Sequence, residues 1–378
     1  MSGAADPDRP QPDQLEGAPH PNATRILLGQ AAPEADFLRA FNAGRLHHGW
    51  LITGPRGIGK ATLAWRIARF LLATPENDGG MFAPPAPATL DIPENHPLAR
   101  RLRAGSEPRI FVLRRPYDEK AGRLKQDITV DEVRRMKSFF ALSAADGGRR
   151  VALIDAVDEM NTAAANALLK LLEEPPSGVT LLLISHQPAR LLPTIRSRCR
   201  ELRLTPLGPA DLASALTAAG GEVAAEENTA LAELAAGSVG EAFRLTNLDG
   251  LTLYAGLVAL LASLPRLDRP RAQTLADTGA GKGREANFEL IVTLIDLFLA
   301  RLARAGTTRH LPPEAARGEA ALIARLSPDP ARAREWADLA QTLGLRARRG
   351  KSVNLDPSAL LMDMLLKIDE TARTLAQR

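Results

Sequence analysis

The chain has 378 residues, more than one average hydrophobic core organises, so about two or three domains are expected. Its 48 lysines and arginines against 44 acidic residues leave a net charge of only +4, so any nucleic-acid contact must come from a local patch. A single cysteine, Cys199, excludes internal disulfides and a multi-cysteine zinc site. No run approaches the roughly 18 apolar residues of a membrane span, so a cytoplasmic protein with no membrane partner is expected.

Residues 1–22 are rich in Pro, Asp and Gly with no apolar block and read as a disordered leader. Residues 31–45 place apolar side chains at helical spacing and stop at Gly44. The run WLITGPRGIGKATLAWRIARFLL, Trp50 to Leu72, follows: an apolar strand, a glycine turn, then an amphipathic helix. Its G-x-x-x-x-G-K loop, Gly54 to Lys60, is the pattern in which backbone N–H groups, a lysine and a helix N-terminus converge on a phosphate. The hydroxyl that should follow the lysine to hold Mg²⁺ is missing at Ala61 and appears one place later, at Thr62. After Leu72, to about residue 107, the chain is proline-rich and reads as an irregular insertion, and His96 within it reads as an exposed or capping histidine.

A short strand is predicted over Arg109–Leu113. A helix then begins at Thr129 or Val130, with Asp131 and Glu132 in its first turn and Val133, Met136, Phe139 and Phe140 on one face. Gly147 and Gly148 turn the chain into the apolar strand Val151–Ile154, which ends in Asp155. Phosphate-loop sites commonly place at such a strand end an Asp that organises Mg²⁺, with a Glu beside it to activate water. Here the neighbour is Ala156, and Asp158 and Glu159 read as the start of the next helix, pointing elsewhere. That helix, in TAAANALLKLLEEPP, is stopped by two prolines, and strands follow at Thr180–Ile184 and Glu201–Leu204. Alternating helices and buried strands predict a parallel α/β sheet whose ligand lies at the C-terminal strand ends, where Gly54, Asp155 and Ser185 fall.

Beyond Thr205 the pattern is helical. Pro209–Ala218 and Asn228–Ala235, closed by Gly237-Ser238, read as a small lid over 206–247, and longer amphipathic helices fill 248–378. Basic groups that could face DNA are Arg134, Arg135 and Lys137 on one helix and Lys170 on another, though a solvated helix face explains them equally well. The densest basic run, ARRGK at 347–351, is expected in a loop between helices.

GPRGIGK, VALIDAVDEM, NALLKLLEEPP and the tripeptide Ser197-Arg198-Cys199 together resemble the bacterial clamp-loader subunits of the AAA+ class, clearly over about residues 24–247 and more loosely beyond. The resemblance implies an AAA+ parallel-sheet domain over 23–205, a helical lid and a C-terminal helical collar that oligomerises. It implies that Gly54, Gly57, Gly59, Lys60 and Thr62 line a nucleotide phosphate pocket, that Asp155 is the Walker B aspartate, and that Ser185 or His186 stands at the sensor-1 position. Arg198 would be an arginine finger acting in trans, on nucleotide held by a neighbouring subunit. The implied partners are motor (tau/gamma) and delta subunits, the sliding clamp and primer–template DNA.

Departures from the family pattern matter equally. Ala61 replaces the metal-binding hydroxyl, Ala156 the catalytic carboxylate and Gly240 the sensor-2 arginine, and the zinc module that many members carry has no cysteines in residues 75–107. Each loss removes charge stabilisation on which phosphoryl transfer depends, so ATP or ADP would be held without hydrolysis. The alternatives are an active motor ATPase and another AAA+ protein of helicase loading or recombination.

Overall fold

A computed structural model describes residues 11–12, 14, 17–75, 85–142 and 148–377. Residues 1–10 of the expected leader, and Gly147, lie outside these. The described chain divides into two compact units, residues 1–221 with 238–240, and residues 222–237 with 241–378.

The first unit is built on five parallel strands: β1 (Gly49–Thr53), β2 (Ile110–Arg114), β5 (Arg150–Asp155), β6 (Val179–Ser185) and β7 (Arg200–Arg203), in the order β2-β5-β6-β1-β7. Strands β1, β5 and β6 are buried at every residue, as expected of parallel strands covered on both faces. Alternation divides them between two cores. Trp50, Ile52, Val151, Leu153, Leu182 and Ile184 face α1 (Ala31–Asn42) and α2 (Lys60–Ala73), where Phe37, Leu63, Ile67 and Phe70 meet them. Leu51, Ala152, Ile154, Leu181 and Leu183 face α4 (Val130–Leu142) and α5 (Thr162–Glu173). The register sets Thr53 beside Ser185 and Asp155 beside Ile184, so the three central strands end level.

Several elements depart from the sequence expectation. The proline-rich stretch contains α3 (Pro97–Arg103), whose N-terminus is capped by His96: its Nδ1 accepts from the Leu98 N–H at 3.2 Å. Leu98 and Leu102 of α3 are buried, a period that surrounding prolines obscure. A small hairpin, β3 (Tyr117–Asp118) and β4 (Arg123–Leu124), follows β2. The end of the expected leader is seated on α2: Arg69 donates to the Asn22 carbonyl at 2.6 Å, and the His20 ring meets Trp65 edge-on at 6.1 Å. After β7, preceded by the short α6 (Pro193–Arg196), comes α7 (Pro209–Ala218), which stays with the sheet.

The second unit contains α8 (Asn228–Ala235), most of α9 (Val239–Asn247), α10 (Gly250–Leu261), α11 (Arg269–Thr278), α12 (Glu285–Thr308), α13 (Glu319–Leu326), α14 (Pro330–Ser352) and α15 (Pro357–Gln377). The stretch read as one lid is thus shared between the two units. Helices α12 and α14 approach so closely that a Cβ at Gly344 would lie 2.2 Å from Asp296 Oδ2. The ARRGK run, expected in a loop, forms the last turns of α14 instead: Ala347 and Gly350 are buried, and Arg348 pairs with Glu289 at 2.6 Å and Asp296 at 2.9 Å.

Candidate functional site

The loop Gly54–Gly59 joins β1 to α2 at the C-terminal edge of the sheet. Gly57 has φ +73°, and a Cβ there would come within 2.2 Å of Ser238 Oγ and 3.0 Å of the Gly240 nitrogen. Its carbonyl accepts from the Gly240 N–H at 3.1 Å, so residues 238–240, which belong to the first unit, rest directly on the loop. Gly59, at φ +99°, precedes the first helical residue, Lys60. Lys60 is 3% exposed, and its Nζ donates to the carbonyls of Gly54, at 2.7 Å, and Pro55. Burial pushes its pKa down to about 8, against the favourable fields of Asp155 and Asp158. Ala61 and Thr62 stand half-buried in the same first turn.

Asp155 closes β5 and is buried, and Ala156 after it is a core methyl. The expectation for Asp158 and Glu159 is corrected: they form a single 3₁₀ turn, Val157–Glu159, that directs both back to the site. Asp158 accepts from Ser185 Oγ at 2.7 Å, from the His186 N–H and from the Gln187 N–H at 3.3 Å, organising the turn after β6. Glu159 accepts from Arg56 of the phosphate loop at 3.3 Å and forms an ion pair with Arg115, whose Nε lies 2.8 Å away. Ser185 is fully buried with its hydroxyl spent on Asp158, and His186 is the member of the pair that faces the loop. Burial, then the charges of Lys60 and Arg56, depress the His186 pKa to about 4, and its buried Nδ1 has no hydrogen-bond partner among the described residues.

Gly54, Gly57, Gly59, Lys60, Asp155 and Ser185 therefore gather at one edge, and Arg198 does not. It precedes β7, at the level of Gly49, where a Cβ would lie 3.3 Å from the Arg198 carbonyl. Five strand residues separate that level from Gly54, roughly 16 Å at the rise of a parallel strand. The Arg198 side chain is 38% exposed, with Nη2 2.9 Å from Glu173 Oε1 and Nη1 donating to the Thr194 carbonyl at 3.2 Å. The adjacent Cys199 is inert: burial pushes its thiol up to about 12. A cleft of about 900 Å³ runs along β1 and β7 past Thr53, Gly54, His186, Cys199 and Glu201. Among the described residues no cluster of His, Cys, Asp or Glu could hold a metal ion, and no helix is long and apolar enough to cross a membrane.

Residues 29–208 match the family described as DNA polymerase III, delta subunit. The delta′ subunit of DNA polymerase III from Pseudomonas aeruginosa is 43% identical over 152 residues, covering 40% of this chain and 41% of that protein. The delta′ subunit of Escherichia coli is 33% identical over 238 residues, covering 61% and 64%. Over residues 29–208 the chain is thus similar to delta-type subunits of DNA polymerase III. The match to the tau subunit of E. coli, 30% over 370 residues, takes in 94% of this chain and 48% of tau. The chain thus spans between two fifths and two thirds of the length of these relatives. A gamma subunit-related protein of Thermotoga maritima superposes with TM-score 0.35 at 17% identity, covering 89% of this chain and all of that one.

Sequence reasoning found the loop and the strand-end positions but missed Asp158, Glu159 and Glu173. A signal existed for the first two, carboxylates two and three residues past a buried strand-end Asp. Only the 3₁₀ turn reveals where they point.

Proposed function

We propose that the chain is the delta′-type member of a cytoplasmic clamp-loading complex, one that holds nucleotide without hydrolysing it and donates Arg198 to the nucleotide of a neighbouring subunit. Its partners would be motor (tau/gamma) and delta subunits, the sliding clamp and primer–template DNA. The observation that carries this reading is the placement of Arg198 at the edge of the sheet opposite its own phosphate loop, where it is half-exposed and beyond reach of any phosphate held at Lys60.

The residues fit a bound phosphate. A buried ammonium held by carbonyl dipoles gains more from an anion than a lysine already neutralised, and Gly57, Gly59 and Thr62 surround the same helix N-terminus. Hydrolysis has no support here: Ala61 supplies no hydroxyl and Ala156 is a buried methyl where a carboxylate would activate water.

The test is Arg198→Ala in the complex reconstituted with motor and delta subunits. DNA-stimulated ATPase is expected to fall at least about tenfold, a modest share of the roughly 10³–10⁵ that arginine fingers supply elsewhere. An unchanged rate would remove the finger assignment. The broad match to tau favours one competing reading, an active motor. Turnover by the isolated chain at motor-like rates would establish that reading instead.

A further inference from the structure

We infer that Glu173 is a positioning residue for Arg198, bracing its guanidinium so that unengaged N–H groups are presented outward; this rests on the finger reading above. Glu173 is the last residue of α5, which begins at Thr162 just past the Asp155–Glu159 strand end and closes beside the chain segment preceding β7. A carboxylate in the last turn of a helix faces the negative end of the dipole, a disfavoured place unless a cation answers it. Arg198 is that cation, with Nη2 at 2.9 Å from Oε1. Its second anchor, the Thr194 carbonyl at 3.2 Å, comes from α6. The Glu173 contact is an ion pair and the Thr194 contact engages a single N–H of Nη1, whereas a guanidinium carries five N–H groups.

The geometry distinguishes a brace from a neutralising clamp. A clamp that withheld the guanidinium would be buried, but the Glu173 and Arg198 side chains remain 49% and 38% exposed. Ordering a long, rotamer-rich side chain before it meets its phosphate removes part of the entropy cost of forming the contact, and the gain appears in turnover rather than in binding of nucleotide to the neighbour.

The experiment is a mutant cycle in the reconstituted complex, using Glu173→Ala, Glu173→Gln, Arg198→Ala and the double variant Glu173→Ala/Arg198→Ala. Glu173→Ala is expected to lower the kcat of DNA-stimulated ATPase about fivefold with the KM for ATP unchanged. Glu173→Gln, which keeps the length of the side chain and an oxygen that can accept from Arg198, is expected to stay within about twofold of the wild type. In the Arg198→Ala background, Glu173→Ala should change nothing further. If Arg198→Ala lowers the rate and Glu173→Ala leaves it unchanged or raises it, the brace is overturned while the finger stands. If Arg198→Ala has no effect, the finger falls and the brace with it. A merely structural Glu173 would lower activity in both backgrounds, which also overturns the proposal.

Discussion

The two units each bury a cation, and they do so in opposite ways. Lys60 and Arg301 are 3% and 6% exposed, so both have left water. Around Arg301 of α12 the second unit sets two carboxylates and a carbonyl: Nε to Glu319 at 2.7 Å, Nη2 to Glu319 at 3.2 Å, Nη1 to Glu233 at 3.2 Å and Nη2 to the Pro313 carbonyl at 2.5 Å. Glu319 in turn accepts from the Tyr254 hydroxyl and from the Ala315 N–H at 2.7 Å. Burial opposes the charge on Arg301, but these hydrogen bonds and fields more than offset it and hold its pKa above the ordinary value. At Lys60 burial wins, and the pKa falls to about 8. A cation saturated by carboxylates is part of the architecture, whereas a cation cradled by its own loop's carbonyls still favours an anion.

The largest effect that would break this contrast is in the second unit. Arg301→Met leaves the fully buried Glu319 without its partner, and uncompensated buried charges cost roughly 3–5 kcal/mol. The urea midpoint of the chain should fall accordingly, and pairing the change with Glu319→Gln should restore part of the loss, because the neutral amide removes the unpaired charge, its oxygen accepts from the Ala315 N–H, and the Tyr254 hydroxyl can turn to accept from its NH₂. A loss below about 1 kcal/mol in the single variant would show Arg301 to be dispensable, against the saturation argument.

The next effect sharpens the other half. Lys60 has a folded pKa of about 8, below its unfolded value, so between about pH 8 and 10.5 the unfolded chain holds a proton that the folded chain has released, and stability on this account rises with pH in that window. Phosphate binding runs the other way, because only the ammonium attracts the anion. At pH 9 about one Lys60 in ten is protonated, so nucleotide affinity measured by calorimetry should be roughly tenfold weaker there than at pH 7. A flat profile would mean that Lys60 does not meet the phosphates.

Much of the first unit was legible because its signals are local. Continuous apolar runs bounded by Gly54, Asp155 and Ser185 mark the strands, and a glycine loop opening a helix needs no tertiary information. What escaped depends on turns and partners. Helix α3 is hidden among prolines, although His96 was legible as a capping histidine, and Asp158 becomes an acceptor for three donors only because one 3₁₀ turn brings it beneath β6. ARRGK looks like a loop until Arg348 finds Glu289 and Asp296 on a neighbouring helix. Similarly, nothing in the spacing of α7 and α8 reveals that one packs with the sheet and the other with the C-terminal helices.

The smallest expected effect is the one that separates function from architecture most cleanly. Arg198 resembles Arg301 in having a carboxylate partner, yet its pair with Glu173 is solvated on both sides. Exposed pairs contribute about 0–1 kcal/mol, since water already solvates both charges and holding two long side chains together costs entropy. The backbone beside Arg198 is fixed by other means: the Arg198 N–H donates to the Ile195 carbonyl at 3.2 Å, and the Trp50–Arg200 register anchors β7 to β1. Arg198→Ala should therefore shift the urea midpoint of the isolated chain by no more than about 0.5 kcal/mol, while nucleotide affinity at Lys60, on the opposite edge, stays unchanged. A loss of 2 kcal/mol or more, roughly the size seen when a buried network breaks, would place Arg198 with Arg301 as an architectural residue, and a weaker complex would then reflect a weaker fold.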